Sequence, residues 1–75
     1  MPKALDLAVR DFIVAKRKKS GLTQHELAAK LRRSQSYVAR IETGQTVSAG
    51  ELVALGKVLD FDLHEVQRLL AKVRR

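Results

Sequence analysis

The side chains that most often carry catalysis or bind metals are scarce in this chain. It has no cysteine, which excludes disulfides, thiolate metal sites and cysteine nucleophiles. Its two histidines, His25 and His64, lie far apart in sequence, and neither has a partner that would make it a base or a ligand. No metal, nucleotide or organic cofactor is implied. What the chain does carry is positive charge, with 15 Lys and Arg against 8 Asp and Glu and a net charge of +7. The surplus is uneven: residues 1–46 hold ten basic and four acidic side chains, residues 47–75 five and four. Cations gathered in one half, including the run Lys16-Arg17-Lys18-Lys19, suit a phosphate-bearing or otherwise anionic partner. On charge alone that partner is nucleic acid, an acidic protein or an anionic membrane. A chain of 75 residues leaves little interior for a catalytic cleft, so the expectation is a binding module and not an enzyme.

These side chains need a scaffold, and with apolar residues at 45% the chain is too rich in them to be a disordered basic tail. Leu5, Ala8, Val9, Phe12 and Ile13 recur at three- and four-residue spacing, which predicts a helix from about Ala4 to Lys19. Its basic last turn opposes the negative end of the helix dipole, and Gly21 ends it. Three pairs fit the capping box, in which a small polar side chain and an acid three residues on satisfy each other's backbone amides. They are Thr23 with Glu26, Ser48 with Glu51, and Asp62 with Glu65. Ser34 is a cap without the returning acid. Helices are therefore expected near 24–31, 35–42, 49–59 and 63–73, with Gly44 closing the third of the five. Gly56, in the middle of the fourth, costs about 1 kcal/mol against alanine, and a close helix crossing is the simplest reason for it. No strand-like alternation appears. The fold class expected is all-α, five short helices in one domain over residues 1–75. The opening Met1-Pro2-Lys3-Ala4-Leu5-Asp6 does not read as a secretory signal, and nothing approaches the roughly 20 apolar residues of a membrane span. The expected location is the cytoplasm, at the nucleoid.

The centre of the chain is the most specific part. It runs Leu22-Thr23-Gln24-His25-Glu26-Leu27-Ala28-Ala29-Lys30-Leu31, then Arg32-Arg33-Ser34, then Gln35-Ser36-Tyr37-Val38-Ala39-Arg40-Ile41-Glu42-Thr43-Gly44. Two short helices are joined by a turn too brief to let them part. Leu27, Leu31, Val38 and Ile41 are spaced to pack together, and Ala28 is small where the helices must cross. Such a pair, core 23–43, holds its second helix rigidly and leaves that helix's start and outer face free, the helix-turn-helix arrangement.

This stretch resembles the lambda repressor/Cro family of XRE-type helix-turn-helix proteins, and the resemblance extends over about Phe12 to Val66. Two positions depart from the family pattern. Arg32 stands where a turn glycine is usual, at a cost on the order of 1 kcal/mol if it is left-handed, and Val47 stands where a proline is common. The resemblance implies sequence-directed binding to double-stranded DNA by a homodimer. It places Gln24 on a DNA phosphate, and Gln35, Ser36 and Arg40 on base edges in the major groove. It puts Tyr37 against the DNA backbone or a thymine methyl, and lets Ser34 touch phosphate besides capping its helix. It assigns Thr43, Gly44 and Gln45 to a loop whose backbone amides meet phosphates. Arg17 and Glu42 match positions that form a structural salt bridge. The charge asymmetry adds Lys18 and Lys19 to the backbone contacts.

Each of these has a plainer reading. Arg40 is otherwise a solvated helix charge, Tyr37 a ring packed on the globule, and Lys18 and Lys19 a solvated helix end. The apolar stripe Leu63, Val66, Leu70 and Val73, with Leu69 beside it, closes the core or pairs two copies into a dimer. Taken together, the residues favour a DNA-binding transcriptional regulator, a repressor acting as a dimer on an operator. The alternatives on the same scaffold are an antitoxin that binds a toxin and represses its own operon, a restriction-modification controller, and a protein-interaction or RNA-binding module.

Overall fold

Four of the five helices begin where a side chain can accept from the exposed amides of their first turn. The computed structural model describes residues 3–73, so the ends of the expected 1–75 domain lie outside the described residues. Its helices are α1 (Ala4–Lys19), α2 (Gln24–Leu31), α3 (Gln35–Ile41), α4 (Ala49–Leu59) and α5 (Leu63–Val73). No strand occurs among the described residues, and no helix there is long and apolar enough to cross a membrane.

The capping boxes at α2 and α4 are complete: Thr23 and Glu26 exchange hydrogen bonds of 2.9 and 3.0 Å, and Ser48 and Glu51 bonds of 2.9 and 3.2 Å. Ser34 caps α3 alone, its Oγ accepting from Tyr37 N–H at 3.2 Å. The third expected box is only half made. Asp62 accepts from Glu65 N–H at 3.1 Å, but the Glu65 carboxylate turns away to meet Lys16 Nζ at 2.8 Å and so clips α5 to α1. A through-space ion pair has outcompeted the local return bond. The third helix is also one residue shorter than expected, because Glu42 forms its C-cap.

Helix ends follow the same economy. Gly21 at φ 75° lets Leu22 and Gly21 donate back to Arg17 and Lys18, and Arg32 at φ 57° does the equivalent for Arg33 and α2. Arg32 thus occupies the left-handed region in which a glycine would be at ease.

The core draws on every helix. Ile13 from α1, Leu27 and Ala28 from α2, Val38 and Ile41 from α3, Leu55 and Leu59 from α4, and Val66 from α5 are all buried, with Phe61 between α4 and α5. α2 packs on α3 and α4, while α1 packs on α5 and α4. Phe12 meets the Phe61 ring edge-on, centroids 4.9 Å apart. Val66, at 3% exposure, belongs to this core, so the expectation of a dimer face on it is corrected, while Leu70 packs against the core and stays half-buried. The reason is geometric: they lie four apart on the stripe that faces α1 and α4, and burying it within the chain satisfies them.

Gly56 is also explained differently from the expected helix crossing. A Cβ placed there would lie 2.4 Å from the Phe61 carbonyl oxygen, on the chain's own return after α4, where Phe61 N–H donates to Gly56 O at 3.1 Å. The glycine makes room for a backbone turn, not for another helix. Gly56→Ala should therefore destabilise the fold by about 1–3 kcal/mol despite alanine's better helix propensity. Chemical denaturation of the two proteins checks this, and an equal or raised midpoint for the alanine variant would count against the close approach.

Candidate nucleic-acid interface

α3 has two unlike sides. Tyr37, Val38 and Ile41 are buried, whereas Gln35, Ser36 and Arg40 are exposed. Ser36 and Arg40 lie one turn apart and share a face. None of the three side chains has a hydrogen-bond or ion-pair partner among the described residues, so an amide, a hydroxyl and a guanidinium stand at the surface with their donors open. The buried side fixes the roll of the helix and thereby the direction of these tips.

The far end of α3 is anchored by Glu42. Its Oε2 accepts from Arg17 Nε at 2.6 Å and its Oε1 from Arg17 Nη2 at 3.1 Å, a two-pronged bridge with the side chains 7% and 12% exposed. Arg17 Nη1 also donates to Leu22 O at 2.9 Å. Gln24, at the start of α2, donates its Nε2 to the same Glu42 Oε1 at 2.9 Å. The expected bridge is present, and Gln24 is drawn into it. Gln24 thus commits one amide hydrogen to the bridge, and among the described residues no hydrogen bond engages the other.

Two expectations are corrected. Tyr37 does not face outward: at 6% exposure it is buried between α3 and α4, and its hydroxyl donates to Glu51 Oε2. An apolar ring with one polar tip finds both needs met inside the fold, which no outward pose would offer. The amides of Thr43, Gly44 and Gln45 are not open to phosphate either. Thr43 and Gln45 N–H donate to Arg40 O at 3.1 and 3.3 Å, Gly44 N–H donates to Ile41 O at 3.1 Å, and Gly44 itself is buried. The last carbonyls of a helix lack partners, and the loop folds back to supply them. The exposed side chain of Gln45 is what remains on that side.

Ser34 uses an acceptor lone pair on its cap and keeps its hydroxyl proton for another group. Lys18 and Lys19 are exposed at the end of α1. His25 and His64 are exposed too, and among the described residues no group of three or more His, Asp or Glu side chains is placed to hold a metal ion. Sequence reasoning gave Arg33 no role and placed Glu51 only in its capping box, missing its bond with Tyr37. Arg33 precedes Tyr37 by four residues, a spacing that could have suggested the cation-over-ring contact observed at 4.0 Å.

The order of elements and the rigid α2–turn–α3 pair are those of a known family, and comparison with family models gives the match: a helix-turn-helix domain over residues 14–69. The chain belongs to the helix-turn-helix domain family. Comparison with curated proteins gave no match, and comparison with solved structures gave none. Membership agrees with the resemblance to lambda repressor and Cro, and it makes DNA the partner of this helix-turn-helix domain and α3 its second helix, the one such a motif lays in the major groove.

Two outcomes follow for the supports of α3. Glu42→Ala should lower stability by about 3–5 kcal/mol, since it leaves a mostly buried arginine unpaired. An unchanged melting temperature would remove the bridge from the account. The second outcome concerns Tyr37, whose burial, followed by its hydrogen bond to the Glu51 carboxylate, pushes its pKa up to about 12. The same hydrogen bond, together with the Ser48 N–H, holds the Glu51 carboxyl below its usual range. Tyr37 is the sole tyrosine and there is no tryptophan, so near-ultraviolet tyrosinate absorbance reads it alone. Its midpoint should lie near 12 in the folded protein and near the ordinary value of about 10 in denaturant. The stability it contributes is complete below about pH 10 and fades as the pH rises through about 12. For Glu51 the sense is opposite: its share is present above the ordinary carboxylate range and disappears as the pH falls through its lowered pKa. A native midpoint equal to the denatured one contradicts the Tyr37–Glu51 contact.

Proposed function

We propose that this helix-turn-helix domain is a sequence-specific regulator of transcription that reads duplex DNA with Gln35, Ser36 and Arg40 and acts as a repressor. The observation that carries the reading is the unpartnered state of those three exposed side chains on a helix whose opposite side is locked into the core. Arg40 suits guanine O6 and N7, and Gln35 suits adenine N6 and N7. Lys18, Lys19, the hydroxyl of Ser34, the free amide hydrogen of Gln24 and the side chain of Gln45 are the backbone contacts. What the tips offer is hydrogen bonding and charge, the equipment of a binding module and not of an enzyme. Occupation of a promoter by such a domain blocks polymerase with no further machinery, which favours repression over activation.

One short helix reads only a few base pairs, so two copies on half-sites about 34 Å apart are the natural assembly. With Val66 buried in the core and Leu70 packed against it, the more exposed apolar surface for pairing is a groove between α4 and α5. Val53 and Leu63, 42% and 45% exposed, line it. Lys57 and Asp62 flank the same groove, and opposite charges beside an apolar strip suit a two-fold contact, each copy's lysine facing the other's aspartate. Leu69 and Val73, both half-buried, are secondary candidates.

Selection of bound sites from a random duplex library, with the mass of the complex, tests both parts. The expected result is a site with two related halves and two chains bound. On that site Arg40→Ala should cost about 1–3 kcal/mol and relax preference at one base position, while Lys18→Ala should weaken all sequences evenly. Wild-type affinity and preference in the Arg40 variant would overturn the assignment of bases to α3.

A further inference from the structure

Arg33 stands in the turn between α2 and α3, directly ahead of the Ser34 cap. Its backbone is fixed on the α2 side: its N–H donates to Ala28 O at 3.0 Å, and Arg32 before it is held left-handed. Its guanidinium carbon lies 4.0 Å from the centroid of the Tyr37 ring. That ring cannot swing aside, because it is buried and its hydroxyl is held by Glu51, whose carboxylate is in turn fixed by the Ser48 capping box. Among the described residues no hydrogen bond or ion pair engages the Arg33 side chain itself. A guanidinium resting on an aromatic face keeps its edge open, and all of its N–H donors lie in that edge.

We propose that Arg33 is a phosphate-binding residue of the DNA interface, held ready by the Tyr37 ring, and that it grips the wall of the groove whose floor Ser36 and Arg40 face. The inference rests on the DNA reading given above. Direction decides between wall and floor. Ser36 and Arg40 share the outward face of α3, whereas Tyr37 lies about 100° round the helix from Ser36, on the flank that meets α4. A side chain stacked on that flank is carried to the edge of the reading face, where a duplex presents phosphates and not base edges. Glu51 shares the flank, but its oxygens are engaged by the Tyr37 hydroxyl and the Ser48 N–H, and it forms no ion pair with Arg33. A phosphate is then the bidentate acceptor that the open edge fits. Because the ring has already restricted the arginine's rotamers, little further ordering is needed when the contact forms.

The test is titration of a random-sequence duplex and of a library-selected duplex at several salt concentrations. Arg33→Ala should lose roughly tenfold in affinity on both duplexes, and its slope of log affinity against log salt should become shallower by about 1. Its melting temperature should stay near that of the wild type, since the side chain is exposed. Arg33→Lys should keep the wild-type slope and regain only part of the affinity, as an ammonium carries the charge without the planar fork. Wild-type affinity and slope in Arg33→Ala overturn the proposal and leave the stack a packing contact. A loss confined to one base position, with the slope intact, overturns it in favour of base reading. A wild-type protein with no salt-dependent affinity for duplex DNA defeats the functional reading itself, a result distinct from an unchanged Arg33→Ala in a protein that binds.

Discussion

The carboxylate of Glu42 is where the fold is tied together. The residue's backbone N–H caps the end of α3, while its carboxylate takes two donors from Arg17 near the end of α1 and a third from Gln24 at the start of α2. Three helices are thus fixed relative to one another at a point nearly closed to water. A mostly buried ion pair contributes little by charge attraction alone, because taking both ions out of water offsets it. Its value here is geometric. Two parallel bonds to a planar guanidinium, a third bond from the same arginine to Leu22 O, and an amide as the second donor on Glu42 Oε1 admit few alternative arrangements.

That constraint matters because α3 is only seven residues long. A helix of two turns is not stable by itself in water, since the cost of nucleating it exceeds what so few hydrogen bonds return. α3 exists because its surroundings hold it: Val38 and Ile41 in the core, Glu42 at one end, and the Ser34 cap with the Tyr37–Glu51 contact at the other. A helix fixed at both ends and along one side has its exposed side determined as well. The open tips of Gln35, Ser36 and Arg40 are therefore a consequence of what is bonded behind them.

Much of this was legible in the sequence where the deciding interactions are local. The boxes of Thr23 with Glu26 and Ser48 with Glu51 close within four residues, so spacing alone locates the starts of α2 and α4. The apolar stripe of α1 could be read from spacing as well, whereas a left-handed Arg32 was suggested only by the resemblance, in which a turn glycine is usual at that position. Several misreadings involve a competitor distant in sequence, others a local backbone partner that side-chain patterns do not display. Glu65 left its box for Lys16, which is invisible to any local window. Tyr37 found a polar partner on α4, and a lone tyrosine in a sequence does not say which neighbour its hydroxyl will meet. The amides of Thr43, Gly44 and Gln45 look free until the unsatisfied carbonyls of α3 are counted against them. In the candidate site the residue types and positions were readable, whereas their existing commitments were not.

The same commitments bear on charge. Acidic side chains are nearly all engaged within the fold: Glu26, Glu51 and Asp62 at helix starts, Glu42 and Glu65 in bridges, Asp11 with Arg10, and Asp6 with Thr46. Only Asp60 has no such bond among the described residues. Of the basic side chains, by contrast, only Arg10, Lys16 and Arg17 are in ion pairs there. Building the scaffold uses up the acids and leaves ten basic side chains outside ion pairs among the described residues, of which Lys18, Lys19, Lys30, Arg32, Arg33 and Arg40 lie between the end of α1 and the end of α3. Free cations close together repel, and the repulsion weakens the fold until a polyanion relieves it. The positive field is in this sense not separate from the architecture: each carboxylate that starts a helix or bridges two of them is one fewer to mask the face that a phosphate backbone would meet.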